Sequence, residues 1–217
     1  MIQYFKLLRV SHWVKNLFLF LPLFFSGKIM DEMEALGHVA IAFLLFSLTA
    51  SSVYIINDIK DVNHDRLHPE KKNRPFASGR ISNATGIVIA IILLLGSFLS
   101  AYFLNIYFTI VLGIYFLMNI VYSLGLKHVA IIDISIIAFG FLLRVLAGGL
   151  VANVYISHWI MLMTFLLALF IGLAKRRDDV IIFIESGQRM RKSLDGYNLE
   201  FINASMVIMA AVVIVSY

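Results

Sequence analysis

This sequence predicts an all-α, polytopic bundle of transmembrane helices, on three observations: its hydrophobic content, the length of its apolar runs and the one-sided placement of its basic residues. Hydrophobic residues make up 61% of the 217 and charged residues 14%, against roughly 45–50% and about 25% in ordinary soluble domains. A water-soluble sphere cannot hide so much apolar surface under so few charges. Soluble enzymes, disordered chains and secreted disulfide scaffolds are thereby excluded. There are no cysteines, which removes disulfides, thiolate metal sites and cysteine nucleophiles.

Apolar runs near the length that crosses roughly 30 Å of hydrocarbon lie at about 38–56, 84–104, 106–122, 130–151 and 157–174. A shorter run, Leu17–Phe25, follows the basic residues Lys6, Arg9 and Lys15. That order resembles a secretory signal peptide, but Phe25-Ser26-Gly27-Lys28 is a poor cleavage site and the polar stretch Arg9–Asn16 extends the same helix. A last run begins near Phe201 and reaches Tyr217. Six helices and a seventh of marginal length are therefore predicted, within a single transmembrane domain 1–217.

Alternate loops differ sharply in charge. One set holds Lys60, Arg66, Lys71, Lys72, Arg74 and Arg80, then Lys127, then Lys175, Arg176, Arg177, Arg189, Arg191 and Lys192. The other holds Lys28 beside Asp31, Glu32 and Glu34, and almost nothing at 103–107 and 151–156. Cytoplasmic loops accumulate Lys and Arg, so the N-terminus and loops 57–83 and 175–198 are predicted to be cytoplasmic. In a membrane protein the net charge of +5 indicates topology rather than nucleic acid.

The informative loop starts at the end of the second helix. Asn57, Asp61 and Asp65 follow an i, i+4, i+8 spacing, and Asp58 is three residues before Asp61. On a continuing helix these acids share one face and repel one another unless a cation sits between them. Oxygen-only ligands suit Mg²⁺, which takes one or two carboxylates and completes its shell with substrate phosphate oxygens. Arg66, Lys71, Lys72 and Arg74 follow directly and suit phosphate. Together they describe a Mg²⁺–diphosphate site; a solvated loop of mixed charge explains the bases but not the register of the acids.

Three other clusters on the same side are candidates to join it: Arg9, His12, Trp13, Lys15 and Asn16; Tyr122 through His128 with Asp133; and Lys175-Arg176-Arg177-Asp178-Asp179. Interfacial anchoring also explains Trp13 and Lys15, and a plain cytoplasmic loop also explains Lys175–Arg177. Arg144 lies eleven residues after Asp133, roughly 16 Å along a helix and near mid-membrane. A charge there needs a polar interior or a partner. Because eleven residues is about three turns, Asp133 and Arg144 face the same way, as a substrate contact or as a structural ion pair. Gly113, Gly140, Gly148, Gly149 and Gly172 are read as close-packing positions, and no HExxH or Walker pattern occurs.

Asn57-Asp58-x-x-Asp61-x-x-x-Asp65 after a hydrophobic helix resembles the first aspartate motif of the UbiA superfamily of intramembrane prenyltransferases. The string Asp65-Arg66-x-His68-Pro69-x-Lys71-x-x-Arg74-Pro75-x-Ala77-Ser78-Gly79 is more specific. With Trp13-Val14-Lys15-Asn16, Tyr122-Ser123-x-x-Leu126-Lys127, Gly140-Phe141-x-x-Arg144 and Ala174-Lys175-Arg176-Arg177, it is similar to the decaprenyl-phosphate phosphoribosyltransferase branch over nearly the whole chain. The resemblance implies nine transmembrane helices around a cavity open to the cytoplasm, of which this chain would hold about seven, lacking two at the C-terminal end. It departs from the branch at Val10 and His12, where Pro and Gln are usual. Aromatic prenyltransferases of the superfamily carry a second acidic motif near the end of the sixth helix for a second Mg²⁺; here that place is basic.

The resemblance implies transfer of 5-phosphoribose from phosphoribosyl diphosphate to a polyprenyl phosphate in the bacterial cytoplasmic membrane, giving a lipid-linked pentose donor for cell-envelope glycans. Asp58, Asp61 and Asp65, helped by Asn57, would hold Mg²⁺ on the diphosphate. Lys15, Arg66, Lys71, Arg74, Tyr122, Lys127, Asp133, Arg144, Lys175 and Arg176 would line the substrates. Two readings remain open beside it: an aromatic prenyltransferase of the quinone or haem O type, and a small transporter whose path Asp133 and Arg144 line.

Overall fold

The computed structural model describes residues 2–27, 33–67, 70–186 and 192–216, and among these the chain is helical without strands. His68 and Pro69 of the predicted motif, and Lys28, Asp31, Glu32, Arg189 and Arg191 of the charge pattern, lie outside the described residues. The helices are α1 (Ile2–Leu8), α2 (Leu21–Phe25), α3 (Met33–Lys60), α4 (Val62–Leu67), α5 (Asn83–Leu104), α6 (Ile106–Leu124), α7 (Ile132–Ala152), α8 (His158–Ser186) and α9 (Leu199–Ser216). Helices α3, α5, α6, α7 and α8 are long and apolar enough to cross a membrane, and Val10–Phe25 and Leu199–Val215 are shorter apolar helices. The seven predicted segments are all present.

The first of them has an unexpected winding. Val10–Phe20 is a 3₁₀ helix that passes into α2. Pro22 sits in the first turn of α2, where its missing N–H is harmless; an α-helix continued upstream would set its ring against the carbonyl four residues back. A 3₁₀ helix rises about 2.0 Å per residue against 1.5 Å for an α-helix. Eleven 3₁₀ and five α residues therefore reach roughly 30 Å, the full hydrocarbon thickness, from an apolar segment that looked short.

Two compact units emerge: Met1–Phe116 with Leu146–Val154, and Leu117–Val145 with Tyr155–Tyr217. In the first, α3 is the central element. Its 28 residues make about 42 Å of helix, more than the hydrocarbon needs. It carries a run of small polar residues, Ser47, Thr49, Ser51 and Ser52, all fully buried. These bind neighbouring helices. Asn16 Nδ2 donates to Ser47 Oγ at 2.8 Å, Trp13 Nε1 to Ser51 Oγ at 3.1 Å, and Thr49 and Ser97 hydroxyls meet at 2.9 Å. Lipid provides no hydrophobic drive between helices, so such hydrogen bonds and small side chains hold them together.

Gly148 on α7 lies so close to the backbone of Leu19 that a Cβ would collide with its carbonyl oxygen and carbon. A backbone carbonyl cannot rotate away, so Gly148→Ala is expected to destabilise the protein by about 3 kcal/mol. Thermal unfolding in detergent checks this against Gly37→Ala on α3, where a Cβ would meet nothing within 4 Å and little change is expected.

In the second unit α8 packs on α9 around Ile134, Ala138, Leu173, Leu194 and Ile202. A short 3₁₀ turn, Lys192–Gly196, lies against the turn Leu126–His128. Gly196 is seated on Ala130, with no room for a side chain between them.

Candidate active site

The acidic face forms largely as its spacing predicts. Regular α-helix is interrupted at Asp61, yet Asp61 N–H donates to Asn57 O and Asp65 N–H to Asp61 O, each at 2.9 Å. The i→i−4 ladder thus carries the register of Asn57, Asp61 and Asp65 from α3 into α4. Asp58 and Asp65 are buried and Asp61 is half-buried.

Two guanidinium groups close on these acids. Arg74 Nη1 donates to Asp58 Oδ1 at 3.0 Å and to Asp65 Oδ2 at 2.8 Å, and Arg9 Nη2 reaches the same Asp58 oxygen at 2.5 Å. Arg74 is held by its own loop. Phe76, two residues on, is 2% exposed and packs its ring where a side chain at Gly86 would lie. Ser78 N–H bonds back to Arg74 O at 2.9 Å and Ile81 N–H to Pro75 O at 3.2 Å. Gly79 turns the chain at φ 73°, a conformation cheap only for glycine. Arg9 sits between α1 and the 3₁₀ helix with a left-handed backbone, φ 50° and ψ 48°. Its guanidinium lies 4.9 Å from the centre of the Tyr54 ring, and the His12 ring meets Tyr54 edge-on at 5.3 Å.

Among the described residues, no three His, Asp or Glu side chains form a metal-binding group of their own. Asp58 and Asp65 instead share an arginine. The donors nonetheless fit Mg²⁺. Asn57 Oδ1 is buried with no hydrogen-bond partner, an oxygen of the right kind close in sequence to the carboxylates, and Mg²⁺ needs only one or two carboxylates when phosphate completes its shell. His12 Nδ1 is likewise buried without a partner. Of the other predicted contacts in this unit, Lys15, Arg66 and Lys71 are exposed.

In the second unit, Asp133 and Arg176 are found paired with each other. Arg176 Nε donates to Asp133 Oδ2 at 2.7 Å and its Nη1 to Asp179 Oδ2 at 2.9 Å. Tyr197 Oη donates to Asp133 Oδ1 at 2.6 Å, and Ser193 Oγ approaches Asp133 Oδ2 at 3.4 Å. Asp133 is 0% exposed and Arg176 2%. Burial first, and then the bond to Asp133, push the Tyr197 phenol above its ordinary range. Stability owed to that protonated phenol is complete below about pH 10, the unfolded tyrosine value, and is lost as pH rises through the higher folded one.

Arg144, three turns on from Asp133, is bonded within its own helix. Its Nη1 donates to Gly140 O at 2.7 Å, and the guanidinium lies 5.4 Å from the Phe141 ring centre. The residue is buried, so the expected polar partner is in part a backbone carbonyl one turn back. Tyr122 and Lys127 are half-buried, and Lys175 is exposed. Sequence reasoning passed over Tyr197 and Ser193 entirely; a Tyr beside a short polar turn before the last apolar run was the available signal.

The model of the UbiA prenyltransferase family matches residues 18–216. The chain belongs to that family. Its class is that of a membrane-embedded transferase, as the aspartate motif and the apolar helices implied. Decaprenyl-phosphate phosphoribosyltransferase of Mycolicibacterium smegmatis is 34% identical over 98% of this UbiA-family chain, which spans 68% of that relative. The protein of the same name from Corynebacterium glutamicum is 36% identical over 98% of the chain, which spans 65% of it. The chain thus covers about two thirds of these relatives' length. A UbiA homolog from Archaeoglobus fulgidus, solved bound to GPP and Mg²⁺, superposes with a TM-score of 0.76 at 20% identity, over 99% of this chain and 76% of that one. That likeness establishes the fold.

Proposed function

We propose that this UbiA-family protein transfers 5-phosphoribose from phosphoribosyl diphosphate to a polyprenyl phosphate, with its site on the cytoplasmic face of the membrane. The observation that carries the reading is Arg176. Where a prenyl-transferring relative would place a second acidic motif for a second metal, this guanidinium is bound to Asp133 and Asp179. The basic side chains on either side of it, Lys175 and Arg177, are exposed. One acidic face and an excess of cations suit a donor with a diphosphate and a 5-phosphate, meeting an acceptor that is itself a phosphate. The two relatives named above carry the same activity in their names. A buried and paired Asp133 does not line a transport path.

In this reading Asn57, Asp58, Asp61 and Asp65 hold Mg²⁺, and when bound it supplies positive charge to the diphosphate leaving group. Arg74 and Arg9, already aimed at Asp58, hold phosphate oxygens as well as the acids. Arg66, Lys71, Lys127 and Lys175 orient the remaining phosphates, and the apolar helix faces take the isoprenoid tail. A phosphate oxygen of the acceptor attacks C1 of the ribose while the bond from C1 to the diphosphate breaks. The attacking oxygen is anionic before it attacks. No general base is required, and positioning with charge stabilisation does the chemistry.

The test is a choice of donor. Membranes carrying the protein, with Mg²⁺ and a polyprenyl phosphate, should move label from phosphoribosyl diphosphate into the organic phase and should not prenylate 4-hydroxybenzoate from a prenyl diphosphate. The reverse pattern would establish an aromatic prenyltransferase instead.

A further inference from the structure

Ile131 is one of three non-glycine residues with a positive φ among those described, at 68°. For a β-branched side chain that is a strained conformation, costly unless the surroundings impose it. The surroundings here are specific. The Ile131 N–H donates to Tyr197 Oη at 2.7 Å, and the same hydroxyl donates to Asp133 Oδ1 at 2.6 Å. Asp133 is in turn fixed by Arg176 from α8. On the other side of the segment, Ala130 is pressed against the bare backbone of Gly196. A hydroxyl 66 residues away in sequence therefore holds the strained exit of the turn Gly125–Ile131, and that turn carries Lys127.

We propose that Tyr197 is a positioning residue: its hydroxyl, anchored on the buried Asp133–Arg176 pair, locks Ile131 in the left-handed region and so fixes Lys127 where it meets a substrate phosphate. Arg176 thus acts on phosphate at one remove, through Asp133 and Tyr197. The phosphate role of Lys127 rests on the function proposed above. The strain gives the proposal a signature that mere packing lacks. A residue at 131 that accepts a positive φ without strain makes the hydroxyl dispensable. Asn is such a residue, and Ile131 is 50% exposed, so Ile131→Asn disturbs no core.

The test compares wild type, Tyr197→Phe and the double variant Ile131→Asn/Tyr197→Phe in the full chain in detergent. Amide exchange at Ile131 is read together with affinity for inorganic diphosphate in Mg²⁺ and with the steady-state constants of transfer. Tyr197→Phe should speed exchange at Ile131 by about tenfold or more. It should weaken diphosphate binding and raise KM for phosphoribosyl diphosphate by about tenfold with kcat little changed. The double variant should recover both affinities. Unchanged exchange, unchanged affinity, or no recovery in the double variant would each overturn the proposal. If Tyr197→Phe does not fold, Gly196→Ala displaces the same turn with the hydroxyl intact and is read in the same way. Diphosphate binding separates the two claims. Loss in Tyr197→Phe without any phosphoribosyl transfer by wild type rejects the proposed function and keeps the positioning role, whereas a wild type that binds no diphosphate rejects both.

Discussion

Replacing Arg176 by alanine is expected to lower stability by about 3–5 kcal/mol, seen as a thermal midpoint in detergent reduced by roughly 10 °C. The guanidinium is enclosed between Asp133 and Asp179, with 2% and 0% of the Arg176 and Asp133 side chains exposed. Removing it leaves a carboxylate fully out of water with the Tyr197 and Ser193 hydroxyls and the Ile134 N–H to satisfy it, and no opposite charge. That is the large penalty of an uncompensated buried charge, and it exceeds the modest net value of the intact pair. The double substitution Asp133→Asn/Arg176→Gln removes both charges and should therefore destabilise less than Arg176→Ala alone, a non-additivity that a double-mutant cycle reads directly. Arg177→Ala, one residue on, is the control. Arg177 is exposed and bonded to Asn203 at 2.9 Å, and its loss should change stability by no more than about 0.5 kcal/mol.

Asp61→Ala is expected to remove nearly all turnover, by about 10²–10³-fold, from a protein that remains folded. Asp61 lies at the junction of α3 and α4, and the register there is carried by main-chain bonds from Asn57 to Asp61 and from Asp61 to Asp65, which alanine preserves. What alanine removes is a carboxylate that, in the function proposed above, helps Asp58 and Asp65 hold Mg²⁺. Substitution of Asp58 would be harder to interpret, since Arg9 and Arg74 both depend on it. The measurement is kcat at saturating Mg²⁺, with the thermal midpoint as the check on folding. Raising Mg²⁺ should recover part of the activity of Asp61→Asn and none of Asp61→Ala, because the amide keeps an oxygen.

What was readable in the sequence and what was not divide along a physical line. Membrane insertion, the helical segments and the acidic face depend on local quantities: hydrophobicity over a window, and a helical period across Asn57, Asp61 and Asp65. Those were legible, and so was the family, since its motif is a local string. The partners of the charges were not. Arg9 finds Asp58 across 49 residues and Tyr197 finds Asp133 across 64, and such pairings follow from which helices pack, not from spacing. The same limit governs Asp133 and Arg144. Their three-turn separation places both on one helix face but does not say that Asp133 pairs with an arginine on another helix, or that Arg144 also bonds a carbonyl of its own. The 3₁₀ winding of Val10–Phe20 was hidden for another reason. Apolar content marks a span, but only Pro22 hinted that the winding would change.

In the function proposed for this protein, one acidic face with its arginines activates phosphoribosyl diphosphate towards a lipid phosphate. The most direct measurement is a single turnover with a donor labelled in both the ribose and the diphosphate. Ribose label should enter the polyprenyl phosphate while diphosphate label stays in water as free diphosphate, one for one, only with Mg²⁺ and not in Asp61→Ala. Ribose label that never reaches the lipid, or that reaches it equally well in Asp61→Ala, would contradict that chemistry.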